Sequence, residues 1–144
     1  MDKSLKLEIV TPDRLVLSRD VDYVGAPGLE GDFGVLPNHV PFLTSIKVGN
    51  VLYKEDGKSH YVFVAGGFAE VSNSKVTILA EVAEHAVEID KDRANKARDR
   101  AEKLIAQKQN DMDTAQAQAA LRRAIMRIRT KDQASDAGTM KKIN

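Results

Sequence analysis

VLYKEDGKSHYVFVAGGFAEVSNSKVTILA, residues 51–80, alternates apolar and polar side chains around two short turns. The runs 51–54 and 60–65 flank Glu55-Asp56-Gly57-Lys58, and glycine takes positive φ at little cost, so this reads as a hairpin. The runs 68–72 and 75–80 flank Asn73-Ser74 and read as a second hairpin. Gly66-Gly67 interrupts an otherwise strong strand, which signals a bulge or a close backbone approach. Upstream the same period continues. Leu5, Leu7 and Ile9 face one way while Lys6 and Glu8 face the other. Thr11-Pro12-Asp13 marks a turn, 14–17 resumes the strand, and Val21 and Tyr23 alternate with Asp20 and Asp22. Gly25, Gly28, Gly31 and Gly34 fall at every third position. Three triplets cannot make a collagen helix, so a tight loop between strands is expected. Strands this short with turns this frequent predict an antiparallel sandwich or barrel.

Downstream the material changes. All four prolines, all seven aromatics and eight of nine glycines lie at or before Phe68. Residues 88–131 hold no Gly, Pro or aromatic, but nine Ala and seven Arg. Ala94, Ala97, Ala101, Leu104 and Ile105 follow the spacing of one helix face. Asp90 fits as N-cap, and Asp92 sits in the first turn, where negative charge is favoured. Asn110 caps a second helix with a stripe of Ala117, Leu121, Ala124, Ile125 and Ile128. A short connection at 107–110 folds the pair into an antiparallel hairpin. The predicted fold class is β + α: an N-terminal antiparallel β-sandwich over 1–86, a two-helix hairpin over 87–131, and a disordered tail over 132–144. The hairpin carries only eight large apolar side chains, so its own core is thin.

The chain of 144 residues has no cysteine, which removes disulfides and a thiol nucleophile from consideration. Met1-Asp2-Lys3 opens no secretory hydrophobic run, and no stretch reaches a membrane span, so a cytoplasmic protein is expected. Residues 1–87 hold 8 basic and 12 acidic side chains, a balance of −4, while 88–144 hold 14 and 9, a balance of +5. A basic end on an acidic body suits an anionic partner; it equally suits a solubilising helix terminus that complements the macrodipole. Nucleic acid is not favoured, because no aromatics interleave with the basic residues. His39, His60 and His85 are too scattered for a metal site and read as structural or interfacial. No serine sits in a nucleophile elbow. Gly57-Lys58-Ser59 resembles the end of a P-loop, but position 52, where a Gly is required, is Leu. No active site is visible, so the chain is not expected to be an enzyme.

The arginines offer more. Asp90 and Arg93 share a helix face, and Arg100 lies two turns further along it. Arg123 and Arg127 are four apart on the second helix. If the helices fold back on each other, the four guanidiniums converge, and such forks bind phosphate oxygens in pairs. The alternative is a helical Asp90–Arg93 pair plus a solvated basic face.

GLEGDFGVLPNHVPFLTSIKVG (28–49) closely resembles the signature loop of the epsilon subunit of bacterial F-type ATP synthase. FVAGGFAEV (63–71) resembles that family's second signature. VTILAEVAEH (76–85) and EIDKDRA (88–94) resemble the run joining its sandwich to its helices. The resemblance implies a non-catalytic central-stalk subunit of the rotary, proton-translocating enzyme. It implies a sandwich that binds the gamma subunit and the c-subunit ring, with Asp32 and His39 at those contacts. It implies peripheral attachment at the cytoplasmic face of the bacterial membrane, without insertion. It further implies that the helical arm extends toward the alpha/beta catalytic head and inhibits ATP hydrolysis. In that state the basic stretch 122–131, with Arg122, Arg123, Arg127 and Arg129, meets acidic residues of the beta subunit. No cofactor is required. Some members bind ATP as a regulatory ligand in the folded hairpin through an I-D-x-x-R-A motif, here Ile89, Asp90, Arg93 and Ala94. Glu84, Arg100, Arg123 and Arg127 match the remaining side chains of that site.

Overall fold

The computed structural model describes residues 4–107 and 110–140. Eight strands come first: β1 (Leu5–Val10), β2 (Leu15–Val21), β3 (Tyr23–Gly28), β4 (Gly31–Val35), β5 (Phe42–Ile46), β6 (Gly49–Glu55), β7 (Lys58–Ser72) and β8 (Lys75–His85). A 3-10 turn, Ala86–Glu88, leads into α1 (Lys91–Ala106) and α2 (Asp111–Asp136). β1 pairs antiparallel with β2 and parallel with β8, and β8 pairs antiparallel with β7. β7 bonds on its other side to β6 and β5, both of which also reach β3. The strands thus wrap into a β-sandwich whose inward residues, from Leu5 to Ala83, form one core.

Both hairpins form where turn chemistry places them. Asp56 and Gly57 have φ of 53° and 77°, the two positive values of a type I′ turn. Asn73 adopts φ 46°, a region asparagine tolerates. The region around Gly66 differs from expectation. His60–Ala65 and Phe68–Ser72 are not separate strands but parts of the continuous β7. Its register with β8 does not slip across Gly66-Gly67, so there is no bulge there. The close approach is real: a Cβ on Gly67 would sit 1.9 Å from the Leu79 carbonyl oxygen. At this point β7 exchanges one partner for another, since Gly49 faces Val64 and Ile46 faces Gly67.

The glycines at 25, 28, 31 and 34 are not a loop either. Gly25 faces Gly34 and Gly28 faces Gly31 across the β3–β4 pair, which Leu29 and Glu30 connect. Tyr23 explains one of them, because a Cβ on Gly34 would lie 2.2 Å from its hydroxyl oxygen.

The arm begins as expected. Asp90 accepts a hydrogen bond from the Arg93 backbone N–H, and Asn110 accepts one from that of Asp113. Lys108 and Gln109, in the expected connection, lie outside the described residues. The helix interface is made of alanines. Ala94, Ala101, Ala117 and Ala124 are buried, whereas Leu104 and Ile125, expected on the apolar stripes, are exposed. Small side chains bring the two backbones close, and that leaves the larger ones at the margins.

The tail expected over 132–144 is a correction. α2 continues to Asp136, and Gly138 at φ 72° closes it. Ala134 and Thr130 are fully buried, and the Thr139 hydroxyl donates to the Ser59 carbonyl at 2.7 Å. Residues 141–144 lie outside the described residues, as do 1–3.

Candidate functional site

β8 ends at His85, whose Nε2 donates to the Val16 carbonyl at 2.9 Å and ties the strand end to β2. Glu88 receives Arg14 at 3.0 Å and the His85 backbone N–H at 3.0 Å. The Arg14 hydrogen bond holds the Glu88 carboxyl below its ordinary range. This pins the 3-10 turn to the body and fixes where α1 starts. Ile89 then packs with Phe63, Ala65, Val48 and Met126 in a second small core under the arm. α1 packs mainly on α2, while α2 also lies against β7, β6 and the 3-10 turn.

A cavity of about 310 Å3 opens where β8, the turn and both helices meet. Glu84, Asp90, Arg93, Arg100, Arg123 and Arg127 all line it. Spacing alone places these arginines on helix faces; the fold brings the faces together. Between them lie Ala94, Ala97, Ala120 and Ala124. The acids are already engaged. Glu84 accepts from Arg127 Nε at 2.6 Å, Glu88 is held by Arg14, and Asp90 caps α1 rather than pairing with the Arg93 guanidinium. Among the described residues no acid pairs with Arg93, Arg100 or Arg123. The result is an excess of planar, multi-donor cations over an alanine floor, which suits a phosphorylated ligand with a flat group. The volume lies at the small end of the range of about 300–1,000 Å3 for ligand sites.

Asp32 and His39 lie elsewhere. Asp32 is exposed on β4, at the edge of a larger groove of about 720 Å3 that also receives Arg122 and Arg129 from α2. His39 precedes β5, its Nδ1 2.7 Å from the Val40 carbonyl and its ring beside Phe42. Arg123 and Arg127 turn to the first cavity, so the basic stretch of α2 is divided between two faces.

Three contributors escape a reading by composition. Phe63 is fully buried, with the Arg127 guanidinium 4.5 Å above its ring. Asn50 donates to Thr130 Oγ1 at 3.1 Å and to Gln133 Oε1 at 2.7 Å. Glu88 lines the cavity as well. The turns carry the signal for the row in which Asn50 and Phe63 stand, but not for what that row holds. The register set by the Asp56-Gly57 turn pairs Asn50 with Phe63, and that of Asn73-Ser74 pairs Phe63 with Glu84.

An outer face of the sandwich is apolar. Phe68 (53% exposed), Leu79 (52%) and Leu15 (58%) line up across β7, β8 and β2, with Val10 of β1 between the last two.

The chain matches two family models in succession: the beta-sandwich domain of the ATP synthase, Delta/Epsilon chain, over residues 4–86, and its long alpha-helix domain over 88–132. It is 63% identical over 134 residues to the ATP synthase epsilon chain of Nitratidesulfovibrio vulgaris (strain Hildenborough), covering 93% of this chain and 100% of that one. The epsilon chain of Maridesulfovibrio salexigens is 60% identical over 139 residues, 96% of this chain and 98% of that one. Among solved structures, a chain of the Euglena gracilis mitochondrial ATP synthase superposes with a TM-score of 0.78 at 23% identity, covering 94% of this chain and 82% of that one. Sandwich, helices and sequence agree across nearly the whole length, and the chain belongs to the delta/epsilon family of ATP synthase subunits.

Proposed function

We propose that the sandwich is the docking body of a central-stalk subunit and that the helical arm is a switch controlled by ATP. Family membership makes the chain a subunit of ATP synthase and not an enzyme in itself. In the proposed role the body binds the gamma subunit and the c-subunit ring and turns with them, coupling proton flow to the catalytic head. The apolar row of Leu15, Val10, Leu79 and Phe68 supplies a surface for such a partner, because exposed apolar area of this kind is removed from water on association. Asp32 and His39 supply polar contacts in the same role. Attachment is peripheral, at the cytoplasmic face of the membrane. No helix among the described residues is long and apolar enough to cross one.

The observation that supports the switch is that both helices of the folded arm and the end of the body line one cavity. Its walls come from α1, from α2 and from residues 84–90 of the body. ATP bound there stabilises the folded arm, and it shifts the equilibrium only by its differential affinity for that state. Moving an arm from mostly extended to mostly folded takes about 5.5 kcal/mol of such difference. Extended, the arm presents Arg122, Arg123, Arg127 and Arg129 to acidic residues of the beta subunit and inhibits hydrolysis.

Two experiments test this. Calorimetry of the intact protein with ATP is expected to give millimolar or tighter binding, abolished in Arg93→Ala and in Arg127→Ala. Absence of binding by the intact protein removes the nucleotide reading. Deleting residues 88–144 is expected to leave assembly intact and to raise hydrolysis by the catalytic head. Unchanged hydrolysis removes the inhibitory reading.

A further inference from the structure

Asn50, Phe63 and Glu84 are successive register partners on β6, β7 and β8, so their side chains rise in a row from one face of the sheet. α2 rests on this row. Asn50 holds Thr130 and Gln133, and both Phe63 and Glu84 hold Arg127. Arg127 lines the cavity, whereas Phe63 does not. We propose that Phe63 is a positioning residue for the nucleotide site: it fixes the plane in which the Arg127 guanidinium is presented to a phosphate. The proposal rests on the nucleotide reading above and adds a residue to it from beneath the arm.

The geometry divides the work between two groups. Glu84 takes the Nε–H at 2.6 Å, which anchors one corner of the guanidinium but leaves it free to turn about that bond. The Phe63 ring centroid lies 4.5 Å from the guanidinium carbon, within the distance at which a cation is attracted to a ring face. Contact with this ring face is what sets the remaining angle in the proposal. The two terminal nitrogens, which form the phosphate-binding fork, then have no acid of their own among the described residues. A side chain ordered before binding gives up little rotamer freedom when the ligand arrives, so pre-ordering appears as affinity. Phe63 is fully buried on a strand, so the platform itself does not move.

The test is calorimetry with ATP on the full chain and three variants: Phe63→Leu, Arg127→Lys and the double variant. Leucine keeps an apolar side chain but removes the ring face, and lysine keeps the charge but removes the planar fork. Phe63→Leu is expected to weaken binding about tenfold in the wild-type background and less than about twofold in the Arg127→Lys background, as expected for two residues acting as a unit. The Arg127 Nε–H resonance, shielded by the ring in the wild type, is expected to move in Phe63→Leu. Undiminished binding by Phe63→Leu overturns the proposal. So does an equal loss in both backgrounds, which is the behaviour of a purely structural residue. Absence of binding by the wild type overturns the nucleotide reading and this inference with it. If circular dichroism shows Phe63→Leu unfolded, Phe63→Met replaces it at similar volume with the same expected outcomes.

Discussion

Gly67 has both reasons to be glycine. Its φ is 126°, and a Cβ would overlap the Leu79 carbonyl oxygen. Gly31, at φ 140°, has open space around it and only the first reason. Gly67→Ala is therefore expected to destabilise the protein by more than about 3 kcal/mol, and Gly31→Ala by about 1–2 kcal/mol. Urea titrations of the two variants would separate steric overlap from backbone strain. His60 tests charge in the same way. Its ring stacks on Tyr53 at a centroid distance of 4.9 Å, and its buried Nδ1 has no hydrogen-bond partner among the described residues. Burial lowers its pKa from the ordinary 6.5, partly opposed by Glu55 and reinforced by Arg19 and Lys58. The neutral ring is thus the form that the fold prefers. Its contribution is complete above pH 6.5 and is lost as pH falls from there toward the folded-state pKa, because the unfolded chain protonates first. The urea midpoint is expected to fall between pH 7 and pH 5, with a smaller drop in His60→Asn. Identical drops would assign the effect to other groups. At this scale the sequence was legible where backbone chemistry is local, as at Asp56-Gly57. It was not legible at Phe63, because a buried aromatic on a strand has the same pattern whether it fills a core or supports an arginine.

Among elements, α2 departs most from its expected form. A helix with one buried face shows a clear 3–4 spacing, but α2 has two. Ala117 and Ala124 are buried on the helix, as are Thr130 and Ala134 toward its end, where Asn50 and Ser59 of the body are engaged. Two faces on one helix fill each other's gaps in the pattern, so the last turns look featureless. β7 reads as two strands for a related reason, since a Gly pair usually interrupts a strand and here marks only a change of partner. β1, β2, β6 and β8, both tight turns and both helix caps were legible because each shows a local pattern, whereas the glycines of β3 and β4 give the pattern of a loop. The C-terminal turn yields a prediction. Thr139→Val leaves the half-buried Ser59 carbonyl without this donor, at a cost of about 1 kcal/mol. Amides in the last turns of α2 are expected to exchange faster in this variant, while those in α1 keep their protection. Unchanged exchange would mean that the segment is held by helix propagation alone.

At the scale of the molecule, body and arm have unequal shares of the core. The main cluster draws all its residues from the sandwich, the last being Ala83. Removal of residues 88–144 is therefore expected to leave a cooperatively unfolding sandwich, visible as a single thermal transition. The arm has alanines at its own interface and leans on the row from Asn50 to Glu84. It should gain most from a ligand that spans its two helices. At ATP one hundredfold above Kd the expected stabilisation is about 2.7 kcal/mol, read as a rise in melting temperature that Arg93→Ala lacks. The candidate site was legible as a set of residue types but not as an enclosure, because only the return of α2 onto the body encloses it.

Phe63, beneath the arm, and Phe68, on the exposed apolar row, belong to the same strand. Five residues of extended chain separate them by at most roughly 17 Å, and the ladder to β8 is unbroken on both sides of the Gly66-Gly67 step. No loop intervenes to take up slack. In the proposed role, in which the stalk grips the sandwich by its outer face, the seat of the arm turns through the same angle at the same moment. Under that proposal a folded arm is parked at a constant bearing on the rotor, and any release starts from that bearing.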